Sequence, residues 1–169
     1  MKPRLLHASI LLLFLPFLLV ACNTEDDVME IFTGRTWKLV RITDESSQNQ
    51  FDFWNGDEAA QQNSLEGLRQ KNNYTLTFEA ADTGNTTPGG SFNGRGVRAT
   101  VEGSWRADGN SRSMSISVSR IIGSESDILA RSFINGLRNA TRYEGDNNNL
   151  FIYYTDGQTT KRLCLTAIN

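Results

Sequence analysis

The stretch Leu150-Phe151-Ile152-Tyr153-Tyr154-Thr155-Asp156-Gly157-Gln158-Thr159-Thr160-Lys161-Arg162-Leu163-Cys164-Leu165-Thr166 decides the fold class. Two runs rich in aromatic, aliphatic and β-branched residues flank Asp156-Gly157, a pair that reverses a chain readily because glycine accepts positive φ. Strand periodicity puts Leu150, Ile152 and Tyr154 on one face, with Leu163 and Leu165 facing the same way on the return. The reading is an antiparallel hairpin with one buried face.

Moving outward from this hairpin, Thr141–Glu144 reads as a short strand leading into it. Upstream, Ser124-Glu125-Ser126-Asp127 opens the strongest helical pattern in the chain, with Ser124 placed to cap and carboxylates favouring the positive helix end. Leu129, Phe133 and Leu137, beside Ala130 and Ile134, form its single apolar stripe. Met114, Ile116 and Val118 alternate with serines and read as a strand. Ser91–Asn93, Val97–Val101 and Gly103–Ala107 are further strand-like pieces, and Asp108-Gly109 marks a turn. Tyr74–Phe78 alternates cleanly, and Gly34–Ile42 supplies a first strand. A helix is expected over Asp57–Gln70 with Leu65 and Leu68 as its contacts, weakened by Gly67. Val28–Phe32 reads as a lead-in turn, and Asp82–Gly90 as a loop punctuated by Pro88 and glycines. The sum is an α+β fold, mostly antiparallel β, with about seven or eight strands rolled or closed like a barrel over one packed helix.

The opening of the chain has a different composition. Lys2 and Arg4 precede an apolar run from Ala8 to Val20, and every one of the 19 Asp and Glu residues lies beyond Ala21. The run is shorter than the about 20 residues that a spanning helix needs. It closes on Leu19-Val20-Ala21-Cys22, which resembles the lipobox of bacterial lipoproteins. That resemblance implies a signal peptide over residues 1–21, cleavage after Ala21, and lipid on the Cys22 thiol and the new amino terminus. Several acyl chains hold a bilayer firmly, since each buried methylene contributes roughly 0.8 kcal/mol. The acidic run Asn23-Thr24-Glu25-Asp26-Asp27 resembles the surface-export signal of lipoproteins in some Gram-negative lineages; physically it is a solvated tether. The expected organisation is a lipidated cysteine and acidic tether over 22–30 and one β-rich domain over 31–169. The expected location is the outer membrane, with the cell surface placed ahead of the periplasmic face.

The single histidine, His7, lies in the segment that such processing removes. A chain starting at Cys22 therefore has no Ser-His-Asp or Cys-His catalysis, histidine metal ligation or histidine pH switch. With Cys22 committed to lipid, Cys164 lacks a disulfide partner and reads as a small buried hydrophobe. A formal net charge of −2 gives no basic footprint for nucleic acid. No cofactor and no metal are expected.

Several constellations invite a chemical reading. Gly94-Arg95-Gly96-Val97-Arg98-Ala99 fits a nucleotide-binding pattern in letters, yet the residues after it are strand-like, so its glycines are expected at a bend or bulge. Asp146-Asn147-Asn148-Asn149 offers oxygen ligands but lacks EF-hand spacing and reads as a polar turn. Arg95, Arg98, Arg106, Arg112 and Arg120 would hold an anionic glycan, a lipopolysaccharide phosphate or protein carboxylates if several shared a face; otherwise they are a solvated strand surface. Phe51, Phe53 and Trp54 either stack on sugars or complete the core, with core the default. A glycosidase would need two acids about 5–5.5 or 6.5–9.5 Å apart, and no acid motif singles out a pair.

From Tyr74 onward the order of elements resembles the META domain, a small β-rich envelope fold related to a heat-inducible bacterial lipoprotein. Gly94–Val97, Gly103-Ser104-Trp105-Arg106-Ala107-Asp108-Gly109, Met114–Val118, Leu129–Leu137 and Asn149-Leu150-Phe151-Ile152-Tyr153 carry the resemblance. Trp37-Lys38-Leu39 would supply the first strand. Small lipoproteins of gut-type Gram-negative bacteria with no assigned function look similar. The chain departs from that pattern at Gly94-Arg95-Gly96-Val97, where META domains typically show Gly-Cys-Asn. Gly34-Arg35-Thr36-Trp37 resembles, with one residue too many, the Gly-X-Trp opening of lipocalins, which implies a barrel with an apolar cavity as the alternative fold. Together these imply a non-catalytic, lipid-anchored binding or accessory module, held to the membrane through Cys22 and facing a protein or glycan partner. The alternatives are a lipocalin-like carrier of a small apolar ligand and a carboxylate-dependent hydrolase.

Overall fold

The computed structural model describes residues 24–81 and 87–168; Cys22, the segment 1–21 and residues 82–86 of the expected loop lie outside the described residues. The elements are α1 (Thr24–Phe32), β1 (Thr36–Asp44), α2 (Glu58–Arg69), β2 (Thr75–Phe78), β3 (Gly89–Arg95), β4 (Thr100–Ala107), β5 (Met114–Ile122), α3 (Ile128–Arg138), β6 (Ala140–Gly145), β7 (Asn149–Asp156) and β8 (Thr159–Ile168). The strands form one sheet in the order β5-β4-β3-β2-β1-β8-β7-β6, and all of its pairings are antiparallel. The sheet rolls until its edges touch. Ser113 makes an isolated antiparallel bridge to Arg142, and the Tyr143 N–H donates to the Arg112 carbonyl at 2.9 Å.

The roll is filled from both ends by side chains. At one end α1 inserts Phe32, whose ring stacks on Trp105 at 4.8 Å and meets Phe78 and Tyr143 edge-on, each at 4.9 Å. The Trp37 indole N–H donates to the Phe32 carbonyl at 3.3 Å. At the other end α3 lays Leu129, Phe133 and Leu137 inside the sheet, all fully buried. It fits because two glycines leave room. A Cβ on Gly136 would stand 2.9 Å from Leu163 and 3.0 Å from Tyr154, and one on Gly94 would stand 3.4 Å from Leu137.

Two acids on the β5–α3 connection tie this end together. Asp127 caps α3, its carboxylate accepting from the Ala130 N–H at 2.8 Å, from the Tyr74 hydroxyl at 2.6 Å and from the Ser64 hydroxyl at 2.7 Å. Ser64, buried on α2, in turn accepts from the Trp54 indole at 3.0 Å. The cap is thus Asp127 rather than Ser124, because Glu125 is turned away to the β3–β4 turn. There one carboxylate oxygen accepts from Val97, Arg98 and Ala99 N–H groups at 2.8, 2.9 and 3.2 Å.

Other expectations shift with reasons. The lead-in turn at 28–32 is the end of a helix that begins at Thr24, and Val28 is only 1% exposed, so α1 packs on the sheet from Val28 onward. The pieces at 97–101 and 103–107 are not two strands: 97–99 form the turn, and β4 runs on through Gly103. A bulge at Glu102/Gly103 brings the Ser117 carbonyl where a Cβ would lie, 1.9 Å away, so only glycine fits. Helix α2 forms as expected from its Asp57 cap but buries Ser64 instead of Leu65. Gly89 and Gly90, assigned to the loop, start β3.

Removing the Asp127 carboxylate leaves Tyr74 and Ser64 without their acceptor and α3 without its cap. Asp127→Ala should cost about 3 kcal/mol in urea unfolding, whereas Glu66→Ala on the exposed side of α2 should stay within about 0.5 kcal/mol.

Candidate functional site

Helical spacing places Asp27, Glu30 and Ile31 on one side of α1, where they wall an open pocket of about 500 Å³. The facing walls are Arg112, from the β4–β5 loop, and the β6–β7 turn, residues 145–148. Each wall is fixed locally. The Asp108 carboxylate accepts from the Asn110 and Ser111 N–H groups at 3.0 and 2.7 Å, folding its loop so tightly that Arg112 adopts φ +56, a strained conformation for a residue with a side chain. Asp146 shapes the opposite turn, one of its oxygens accepting from the Asn148 and Asn149 N–H groups at 2.7 and 2.9 Å. The Asn147 amide donates to Glu30 Oε1 at 2.6 Å, and Arg35 reaches both the Asn147 carbonyl and, at 2.8 Å, the Glu30 carbonyl. Turn and helix are therefore one unit.

The pocket is electrostatically mixed. Three carboxylates, Asp27, Glu30 and Asp146, share it with the Arg112 guanidinium, which forms no ion pair among the described residues and lies 5.6 Å from the centre of the Tyr143 ring. The Tyr143 hydroxyl is buried beside the Arg112 guanidinium. Burial pushes this phenol up, Arg112 pulls it down, and Asp108 and Asp27 push it up again. Its charged neighbours thus include two residues that line the pocket.

Hydrogen bonds hold several acids of this region in their ionised form. Backbone N–H groups hold Asp146 below the usual carboxylate range, and so does the Ser111 N–H for Asp108. A hydrogen bond from the Tyr153 hydroxyl does the same for Glu144. A general acid needs the opposite displacement. Among the described residues no group of three or more His, Cys, Asp or Glu side chains is placed to hold a metal ion. The 146–149 segment is the polar turn its sequence predicts, with Asp146 engaged in making it.

The remaining candidates disperse. Arg95, Arg106 and Arg120 point outward from β3, β4 and β5, but Arg106 lies six residues along β4 from Thr100, the partner of Arg95, or roughly 20 Å. Arg120 is spent on Glu102 at 3.9 Å, Arg98 sits in the β3–β4 turn, and Arg112 alone of the five reaches the pocket. The 94–99 segment does form an anion-binding concavity of successive N–H groups, yet Glu125 of the same chain occupies it. Trp54 is buried, and Phe51 and Phe53 pack together at 4.8 Å with Phe53 against the core, so these aromatics present no open platform. Cys164 is a free, buried thiol. The pocket joins positions 27, 112 and 146, and only the acid spacing on α1 hints at one wall.

A family model described as a domain of unknown function (DUF4847) matches residues 23–167. A crystal structure of a DUF4847 family protein from Bacteroides vulgatus ATCC 8482 is similar over 82% of this chain and 96% of that one, with 28% sequence identity and a TM-score of 0.61. No curated protein matches.

A displaced cation lies away from the pocket. Lys38, on β1, donates to the carbonyls of Gln70, at 2.7 Å, and Asn73, and so fastens the α2–β2 connection; its ammonium is 5.7 Å from the centre of the Tyr74 ring. Burial pulls it down to about 8. A lysine so displaced is a candidate nucleophile, but this one is occupied by structure. Above pH 8 the folded chain has lost a proton that the unfolded chain keeps up to its ordinary value, so stability rises with pH. Above pH 10 Tyr74 and Tyr154, whose phenols burial pushes up, reverse the slope. Solvent reaches part of the lysine side chain and screens the effect, so urea unfolding should gain about 1 kcal/mol from pH 7.5 to 9.5. Lys38→Met should abolish that gain.

Proposed function

The chain belongs to the DUF4847 family, and on that premise we propose that it is a lipid-anchored envelope module that binds a partner rather than transforming a substrate. The observation that carries the reading is the junction at residue 22. Leu19-Val20-Ala21-Cys22 resembles a lipobox, the family match begins at residue 23, and helix begins at Thr24. Domain succeeds anchor with almost no spacer. Two residues span at most about 7 Å, so a lipid on Cys22 holds the α1 end of the roll against the bilayer. That confinement raises the effective concentration of the module for neighbouring proteins or glycans. The META-like order of elements and the acidic start of α1 support an outer-membrane module at the cell surface.

The anchor is tested in a bacterial host that processes lipoproteins. The parent chain should partition with membranes, incorporate labelled fatty acid and have the mass of a chain beginning at Cys22. Cys22→Ala should accumulate as a longer, unlabelled precursor. Equal processing and labelling of the two would refute the anchor.

A further inference from the structure

Asn55 and Gly56 form a reverse turn with positive φ at both residues, +51 and +84, closed by the Asp57 N–H donating to the Trp54 carbonyl at 3.1 Å. Both residues are exposed, and a Cβ added to Gly56 would meet nothing within 4 Å. Neither the Asn55 side-chain amide nor the Gly56 N–H makes a hydrogen bond among the described residues. We infer that this pair is a site of spontaneous modification, at which the Asn55 side chain closes on the Gly56 nitrogen and the ring opens to aspartate and isoaspartate.

The chemistry needs only water. The Gly56 amide nitrogen gives up its proton and bonds to the side-chain carbonyl carbon of Asn55. The bond from that carbon to the side-chain nitrogen breaks, and ammonia leaves with the proton. Water then opens the resulting cyclic imide at either carbonyl. Opening at the side-chain carbonyl restores the main chain and leaves an aspartate at position 55. Opening at the main-chain carbonyl leaves the chain running through Cβ and Cγ, an isoaspartyl linkage with one more carbon in its path. An amide and water become a carboxylic acid and ammonia, with no oxidant or reductant.

The chain holds three Asn-Gly pairs, and the fold distinguishes them. Asn93-Gly94 lies in β3, which is paired on both sides, and Gly94 is buried. Asn135-Gly136 lies inside α3, where the glycine N–H belongs to the helix ladder and Gly136 is buried against Leu163 and Tyr154. Ring closure at either of these requires the element to open first, and buried elements open rarely. At Asn55 the following glycine puts no side chain in the way, and turning the peptide breaks only the one hydrogen bond of the turn.

The position of the turn gives the modification a consequence. On its amino side Trp54 is buried, its indole held by Ser64. On its carboxyl side Asp57 caps α2, accepting from the Ala60 N–H at 3.0 Å. Two residues of ordinary length bridge these fixed points. An isoaspartyl linkage lengthens the bridge and displaces the cap or the indole, whereas an aspartate adds charge alone.

The experiment ages the purified full chain in mildly alkaline buffer at body temperature, one sample folded and one unfolded in urea. In the folded sample the tryptic peptide 42–69 should gain about 1 Da at Asn55 and divide into two chromatographic forms, one of them a substrate for an isoaspartate-specific methyltransferase. Conversion there should run at least about ten-fold faster than at Asn93 or Asn135, and the three rates should converge in urea. The aged parent should lose about 2–4 °C of melting temperature as the isoaspartyl form accumulates. Fresh Asn55→Asp and aged Asn55→Gly, which accepts the positive φ, should keep theirs. An unmodified Asn55, or folded-state rates equal at the three pairs, overturns the site. An isoaspartyl form that melts together with Asn55→Asp overturns its coupling to α2.

Discussion

The Asp127 carboxylate is the point on which the packing of this fold turns. It stops the β5–α3 connection, starts α3, and draws Tyr74 at the head of β2 and Ser64 of α2 onto the same two oxygens. A part-buried carboxylate keeps its charge at little cost when donors fill its lone pairs. Because its donors come from three elements, filling them fixes how α3 enters the roll. The positive φ of Tyr74, +52, belongs to the same arrangement, since it brings the phenol inward to the acid. Glu125, two residues earlier, binds the β3–β4 turn in the same manner, so one short connection holds both helices and the rim of the sheet.

Much of this is legible in the sequence because the signals are local. The 150–166 hairpin, the stripe at Leu129, Phe133 and Leu137, and the alternation at 114–118 all follow from periodicity, and the inward sets named from it are buried except for Val118, which is half-buried, while Tyr153 and Cys164 are buried on the opposite face. Helix α1 escapes such a reading because its acidic start outweighs Val28, Ile31 and Phe32, whose spacing is already helical. The apparent split of β4 comes from taking Gly103 as a break, when it is the residue that lets two backbones approach. Composition favours Ser124 as cap because it cannot rank the two acids after it; two of the three donors that claim Asp127, Tyr74 and Ser64, are distant in sequence. The pocket has the same character, for Asp27, Arg112 and Asp146 meet only through tertiary structure.

The letters that suggest nucleotide binding show how a motif can keep its physics and lose its ligand. The N–H groups at 97–99 converge as they would on a phosphate, but the anion they hold is a side chain of the same protein. The arginines lose their meaning differently. Strand alternation sends Arg95, Arg106 and Arg120 outward, and register spreads them apart. What remains is the end of the roll nearest residue 22, where charges of both signs face one opening.

The strand order has a further consequence for biogenesis. β1 shares only three residue pairs with β2, and its main neighbour is β8, which runs alongside it from Thr36–Ile168 to Asp44–Lys161. A chain made amino terminus first therefore delivers its opening strand long before the strand that completes it. Closure waits for the last residues to arrive, and a truncated or stalled chain presents an unzipped cylinder with β1 unpaired along most of its length.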